Sequence, residues 1–359
     1  MSAAARDPES LLVVRLGAVG DIIHTLPAVT ALRNAFPNAR VGWIVEERWA
    51  QLLCAQNSPR SGSRSPARPL VDFVHVVNTK AWRKSLLSRE TQRQISSALR
   101  EVRALKYEIA VDFQGALKSA LVARCSGART VFGLDHPRET PARILYSRRI
   151  ATTKLHVIEQ YHSLAEGVAG KPLPVPVIEL PCDGQAEADI TRKLLELNKE
   201  RPFVIITPAT GWGAKQWPPE RYGAVADALA TDGLIPLVNC GPGEELLAQA
   251  VLAASNGKAH LISCSLAELI ALTRRARLFI GGDTGPLHLA AALQVPVVAL
   301  FGPTDPARNG PYGTKTVVLR NPASRTSLSH TSAPDPGLLL ITADEVTASA
   351  RRLLENSHA

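Results

Sequence analysis

The sequence predicts an α/β protein of two doubly wound, Rossmann-like domains. Three observations lead there. The chain has 359 residues, enough for two domains at about 100–200 residues each. Short apolar, β-rich runs alternate with helical patterns almost throughout, the order that gives parallel sheets with crossover helices. One segment, 171–181 (KPLPVPVIELP), carries four prolines. Proline lacks the amide a helix needs, so this segment reads as a stiff, extended linker.

The elements follow in order. Before the linker, strands are expected at 11–16, 40–46, 72–77, 108–113 and 130–133, with helices such as 21–35 and 90–105 between them. After it, strands are expected at 203–207, 234–239, 277–280 and 295–301, and helices at 219–231, 243–255, 266–275 and 286–293. A last helix, 343–355, is expected to cross back onto the first domain. The domain assignment is therefore 1–172, 173–341 and this terminal helix within 342–359. Residues 58–69 (SPRSGSRSPARP) have no apolar anchor and read as a mobile surface insertion, with a basic flap over an anionic acceptor as the sharper alternative.

Composition narrows the class. With 45% hydrophobic and 20% charged residues, the chain is neither disordered nor fibrous. The most apolar stretch, 287–301, is shorter than the ~20 residues of a membrane span. The amino-terminal run 11–16 is too short for a signal peptide and contains Arg15. A cytoplasmic protein is expected. Cys54, Cys125, Cys182, Cys240 and Cys264 are scattered without a CxxC pair, so neither a disulfide framework nor a zinc site is indicated. The net charge of +9 suits an anionic membrane surface or a phosphorylated substrate. No basic helix or basic–aromatic stripe argues for nucleic acid.

Open α/β sheets bind ligands beyond the carboxyl ends of their strands, and two such domains are expected to face each other across a cleft. Four post-strand loops are therefore candidates. The first, Gly17-Ala18-Val19-Gly20-Asp21, lacks the GxGxxG dinucleotide fingerprint. Its Asp21 is either the cap of the next helix, the role its type favours, or a general base taking a proton from an acceptor hydroxyl. The second, Asp283-Thr284-Gly285-Pro286-Leu287-His288, leads into an apolar helix. Its amides and helix dipole suit an anion, and Thr284 and His288 are spaced to share a face. In the third, Thr210-Gly211-Trp212-Gly213-Ala214-Lys215, the lysine is either solvated or placed to neutralise a leaving diphosphate. In the fourth, Glu244 or Glu245 either binds ribose hydroxyls or suits a helix amino terminus. There is no DxD, HExxH, Walker A or GxSxG motif. A transferase built on these loops would meet its leaving diphosphate with protein cations and amides, without a metal.

Six ordered segments carry a resemblance: LLVVRLGAVGDIIHTLPAVTALR, VGWIVEERWAQLL, VDFQGALKSAL, TPATGWGAKQWPPERY, GGDTGPLHLAAAL and LFGPTDPARNGPYG. They resemble the heptosyltransferases, glycosyltransferase family 9. Residues 43–47, 82–84 and 114–120 look most like the heptosyltransferase I branch. The resemblance implies a GT-B fold and inverting transfer from ADP-heptose to the Kdo of a Kdo–lipid A acceptor at the inner membrane. It implies Asp21 as base. Thr210, Gly211, Lys215, Glu245, Cys264, Asp283, Thr284, Gly285 and His288 would hold the donor. Gly17, Trp82, Arg83, Lys84, Gln114 and Lys118 would meet the acceptor. The family often has a second threonine where Gly211 stands, which removes one diphosphate contact. The rivals are another family 9 donor or acceptor, a non-catalytic nucleotide-sugar binder, and a nicotinamide oxidoreductase, against which the missing fingerprint counts.

Overall fold

The computed structural model describes residues 6–85, 87–197, 201–327 and 331–355. The chain divides into two compact units after Cys182. Each is built on a six-stranded parallel sheet of Rossmann-like winding.

In the first unit β1 (Ser10–Val14), α1 (Val19–Ala35), β2 (Arg40–Glu46) and β3 (Phe73–Val77) are followed by α2 (Thr79–Trp82) and α3 (Arg89–Ala104). Then come β4 (Ile109–Asp112), α4 (Leu117–Cys125), β5 (Thr130–Leu134), β6 (Arg148–Ile150) and α5 (Val157–Ala169). The strand order is β3-β2-β1-β4-β5-β6. β1 is buried along its whole length, because helices cover both faces of a parallel sheet. Its end, Val14, pairs with Ile44 on one side and Asp112 on the other, so the loops after β1 and β4 emerge side by side. α1 packs on α5, while α2, α3, α4 and the tight turn Thr140–Leu145 share a separate apolar cluster around Val102, Ala120 and Ala142.

The segment 58–69 is neither a mobile insertion nor a free flap. Arg68 is buried and donates to the carbonyls of Val71 (3.1 Å), Gly62 (2.7 Å), Ser63 (2.9 Å) and Pro59. Gly62 N donates to Asp72 O, and Val74 N to Arg60 O. The segment thus covers the outer edge of β3, an unpaired strand edge that would otherwise be open to association. A polar side chain supplies the anchor that no apolar residue provides.

In the second unit α6 (Gly184–Glu196), β7 (Phe203–Thr207), α7 (Pro219–Thr231), β8 (Ile235–Cys240), α8 (Glu245–Ala254), β9 (His260–Ser263) and α9 (Leu266–Thr273) come first. β10 (Leu278–Gly282), α10 (Gly285–Ala292), β11 (Val297–Leu300), α11 (Pro306–Asn309), β12 (Thr316–Leu319), α12 (Pro336–Leu340) and α13 (Ala343–Glu355) follow. The order is β12-β11-β10-β7-β8-β9. Val204 and Ile206 face one cluster, Phe203 and Ile205 the other, the two-residue alternation of a sheet covered on both sides. α13 corrects an expectation. Its Val346, Ala350 and Leu353 are buried in the second unit's own core beside Tyr222 and Leu229, rather than returning to the first domain. Three apolar residues on one face of α13 find their partners on α7, the nearest helix with a matching stripe. Among the described residues no helix is long and apolar enough to cross a membrane.

Candidate functional site

In the first unit the site grows from Arg15, a charged residue at the end of the buried β1. Its guanidinium donates to Phe113 O (2.6 Å) and Tyr161 Oη (3.0 Å). It also pairs with Asp21 Oδ1 at 2.8 Å. The Arg15 side chain is 4% exposed and that of Asp21 38%, so a buried cation holds a carboxylate that faces solvent. Asp21 Oδ2 accepts Ala18 N at 3.2 Å; Ala18 is the N-cap of α1 and Asp21 its third residue, so Asp21 is not the cap expected from sequence but reaches back from the first turn to the residue that is. Each carboxylate oxygen has two lone pairs, so this contact and the role of base are both available to one side chain. The loop is fixed from both sides. Leu16 N donates to Gln114 Oε1 (3.0 Å), and Trp43 Nε1 to Arg15 O (3.0 Å). Gly17 has a packing reason as well: a Cβ there would lie 2.9 Å from Trp49 Nε1.

Gln114 is set by a residue that the sequence reading did not single out. Asp112 is buried at the end of β4. It accepts Gln114 N (2.9 Å), Gly115 N (3.3 Å), Ser119 Oγ (3.0 Å) and Tyr146 Oη (2.8 Å). Burial nevertheless raises its pKa to about 6. Four donors favour the anion, yet no cation is among its partners.

The remaining first-unit candidates stand apart. Trp82 packs on the apolar cluster and donates to Gln94. Arg83, Lys84 and Lys118 are exposed. Among the described residues no hydrogen bond or ion pair joins these four to the Asp21 loop.

In the second unit the strand ends bring together Lys215, Asp283 and His288. Lys215 Nζ pairs with Asp283 Oδ2 at 2.6 Å. His288 Nε2 lies 3.0 Å from Asp283 Oδ1. The Lys215 side chain is 14% exposed and Asp283 8%. Burial works against the Asp283 anion, but the hydrogen bond and charge of His288, then those of Lys215, hold its carboxyl well below the usual range. Lys215 also sits 5.2 Å from the Trp212 ring centre, a cation–π arrangement. The Thr210 methyl would touch a Cβ on Gly282 at 3.0 Å. Glycine thus lets the β7 loop lie directly over β10. Thr210 Oγ1 donates to Trp212 O, and Thr284 Oγ1 to Gly282 O. Gly285 begins α10, whose first-turn amides have no partner within the helix and receive no side-chain cap from Thr284. A Cβ on Gly211 would meet nothing within 4 Å.

Glu244 and Glu245 both turn onto their own loop. Gly241 N donates to Glu244 (2.6 Å) and Gly243 N to Glu245 (3.0 Å), and that amide holds the Glu245 carboxyl below its ordinary range. Cys264 follows β9, and burial pushes its thiol up to about 12. With strands about 4.8 Å apart, the ends of β9, β8, β7 and β10, neighbours in the sheet, form a row roughly 14 Å long. The hydroxyls of Thr207 and Thr304 are buried with no hydrogen-bond partner among the described residues. Neither was assigned a role from sequence, although Thr304 lies in the GPTDP motif. Among the described residues no three His, Cys, Asp or Glu side chains gather as a metal site.

Comparison with known proteins gives a consistent picture. The profile of glycosyltransferase family 9 (heptosyltransferase) matches residues 95–335. Lipopolysaccharide heptosyltransferase 1 of Pseudomonas aeruginosa is 33% identical over 317 residues, 86% of this chain and 83% of the relative. Lipopolysaccharide heptosyltransferase 1 of Escherichia coli K12 is 28% identical over 318 residues, 87% of this chain and 93% of the relative. The solved structure of an Escherichia coli heptosyltransferase with ADP has a TM-score of 0.73 and 25% identity over 98% of this chain and 100% of that one. A family 9 glycosyl transferase from Veillonella parvula reaches 0.81 at 22% identity over 99% and 100%, a likeness of fold.

Proposed function

Since the chain belongs to glycosyltransferase family 9 and is a heptosyltransferase of lipopolysaccharide core biosynthesis, we propose that it moves heptose from ADP-L-glycero-D-manno-heptose to the Kdo of Kdo2-lipid A. Transfer inverts the anomeric centre, needs no metal ion, and takes place at the cytoplasmic face of the inner membrane. The observation that carries this reading is Asp21, a solvent-facing carboxylate held by a buried arginine at the end of β1.

Asp21 accepts the proton of a Kdo hydroxyl as that oxygen bonds to the anomeric carbon. The bond from this carbon to the phosphate oxygen breaks, and ADP leaves with the electron pair. General-base help of this kind contributes about 10²–10⁴-fold. The leaving diphosphate gains negative charge. Lys215, the hydroxyls of Thr210 and Thr284 and the first amides of α10 (starting at Gly285) answer it, and such fixed donors cost no reorganisation during the reaction. Asp283 and His288 hold Lys215 and the sugar. Glu244 or Glu245, with Cys264 beyond, takes the nucleoside end. Gly17, Gln114, Trp82, Arg83, Lys84 and Lys118 form the acceptor side.

The test is transfer from ADP-heptose to a Kdo-bearing acceptor in EDTA, with the anomeric configuration of the product read by NMR. Inverted product at an undiminished rate supports the reading. Retained configuration, dependence on a divalent metal, or preference for another nucleotide sugar overturns the corresponding part.

A further inference from the structure

The charge of this protein is not spread over it. Residues 79–149 hold fifteen Lys and Arg against six Asp and Glu, a surplus equal to the whole chain's net charge of +9. The rest of the sequence is balanced. Besides β4, β5 and the start of β6, these residues build one helical layer of the first unit: α2, α3, α4 and the turn Thr140–Leu145, joined by their common apolar cluster. Arg103 ties α3 to Cys125 O at the end of α4 (2.7 Å), and Leu117 N ties α4 to Glu139 beside the turn (2.8 Å).

On this layer Arg83, Lys84, Arg93, Lys118 and Arg124 are exposed and form no ion pair among the described residues. Apolar side chains stand in the open beside them: Leu87 is 92% exposed and Ile144 86%, with Leu117 and Leu121 on the outer side of α4. Exposed leucine and isoleucine cost free energy in water, and nothing in a soluble sugar or a phosphate backbone would cover them. Cations interleaved with bare apolar side chains match the boundary of an anionic bilayer, where phosphate headgroups meet the charges and acyl chains take the rest. A nucleic-acid surface would present aromatic rings for stacking, but Trp82, the tryptophan of this layer, is packed inward.

We propose that the outer face of α2, α3, α4 and the turn Thr140–Leu145 is the surface on which the protein lies against a bilayer containing anionic phospholipid. The inference rests on the reading that the acceptor is a lipid-linked sugar, whose acyl chains then stay in the bilayer. It adds the face and the lipid chemistry that bring the enzyme to them. Arg83, Lys84 and Lys118, already acceptor candidates, belong to the same layer.

The experiment is co-sedimentation of the full chain with phosphatidylcholine vesicles and with vesicles containing about one-third phosphatidylglycerol. The expected result is binding to the anionic vesicles alone, weakening as salt shortens the screening length. Replacing Leu87→Ser, Arg93→Glu, Arg124→Glu and Ile144→Ser together should lower partitioning by about tenfold or more. Turnover of ADP-heptose on a chain-free Kdo acceptor should stay as in the wild type, which shows that the variant is folded. The charge pair Arg93→Glu with Arg124→Glu alone should lose an intermediate amount. Equal binding to both vesicles, or undiminished binding by the fourfold variant, overturns the proposal, as does release from the vesicles by a short RNA. Vesicle binding without transfer to the Kdo acceptor would defeat the substrate reading and leave the docking face standing. Transfer without vesicle binding would do the reverse.

Discussion

Each unit places one acid–base pair at its strand ends, and the two pairs are buried the opposite way round. In the first, Arg15 is deep and Asp21 faces solvent. In the second, Asp283 is the deeper member and Lys215 the shallower. The buried partner is held by neutral or backbone groups in one case, Phe113 O and Tyr161 Oη, and by a second ring, His288, in the other. The lesson is a division of labour. The exposed member of each pair can meet a substrate, and the buried member fixes where it stands. On the proposed reading, transfer needs a base for the acceptor and a cation for the leaving group, and those roles fall to the less buried member of each pair.

The sharpest way to break the comparison is at Asp21. Asp21→Ala should lower kcat by about 10²–10⁴-fold while thermal stabilisation by ADP persists. Loss of ADP stabilisation in a folded variant would mean that Asp21 serves the donor instead. Lys215→Ala should act on binding and stability. ADP affinity should fall about tenfold to a hundredfold, the loss of a charge-assisted contact. The unfolding free energy should fall by about 3 kcal/mol, the low end for a broken buried pair because His288 keeps the other oxygen of Asp283. Asp283→Asn should weaken ADP binding less than Lys215→Ala does. The reverse ranking in isothermal titration would make the buried acid the ligand and end the proposed division. Arg15→Met should cost about tenfold to a hundredfold in kcat, some 1.4–2.8 kcal/mol, with the KM for donor unchanged. Arg15→Lys should recover part of it, since Lys retains the charge but loses the fork. A KM effect as large as the kcat effect would place Arg15 against a substrate.

The placement of these residues was legible in the sequence because they sit at strand ends. Asp21, Lys215, Asp283 and His288 each follow an apolar strand, and a strand end followed by glycine and a polar residue is a local signal. Partnership was not local. Arg15 was visible only as a charge spoiling an apolar run. That it would turn under Asp21 depends on Phe113 and Tyr161, about a hundred residues or more away in sequence. The same holds for Arg68, whose carbonyl ligands turn a Ser/Pro/Arg-rich stretch into the cover of a sheet edge. The strands β6, β9 and β12 have three or four residues, too few to show alternation. α13 was read correctly as a helix, but an amphipathic face does not say which core it will join.

Asp112 is where the comparison can be sharpened most finely, because it is a buried carboxylate without a cation. Asp283 keeps its charge through His288 and Lys215, whereas Asp112 has only hydroxyls and amides around it, and burial wins. With a folded pKa of about 6 against about 3.9 unfolded, the folded state binds more protons than the unfolded one between those values. Stability must then fall as pH rises through that window. The total is up to about 3 kcal/mol, at 1.36 kcal/mol per pKa unit. Asp112→Asn removes the titrating group while keeping an acceptor for Gln114 N. In urea unfolding at pH 4, 5, 6 and 7, the advantage of wild type over the variant should shrink steadily with rising pH and level off above pH 7. Asp283 has the opposite sign: its contribution is complete above the unfolded pKa and is lost only as pH drops below it, so it adds nothing to the difference between wild type and variant between pH 5 and 7. A flat difference, or one that grows with pH, would show that four neutral donors suffice to hold a buried anion. The cations beside Asp283 would then be there for the substrate rather than for the carboxylate.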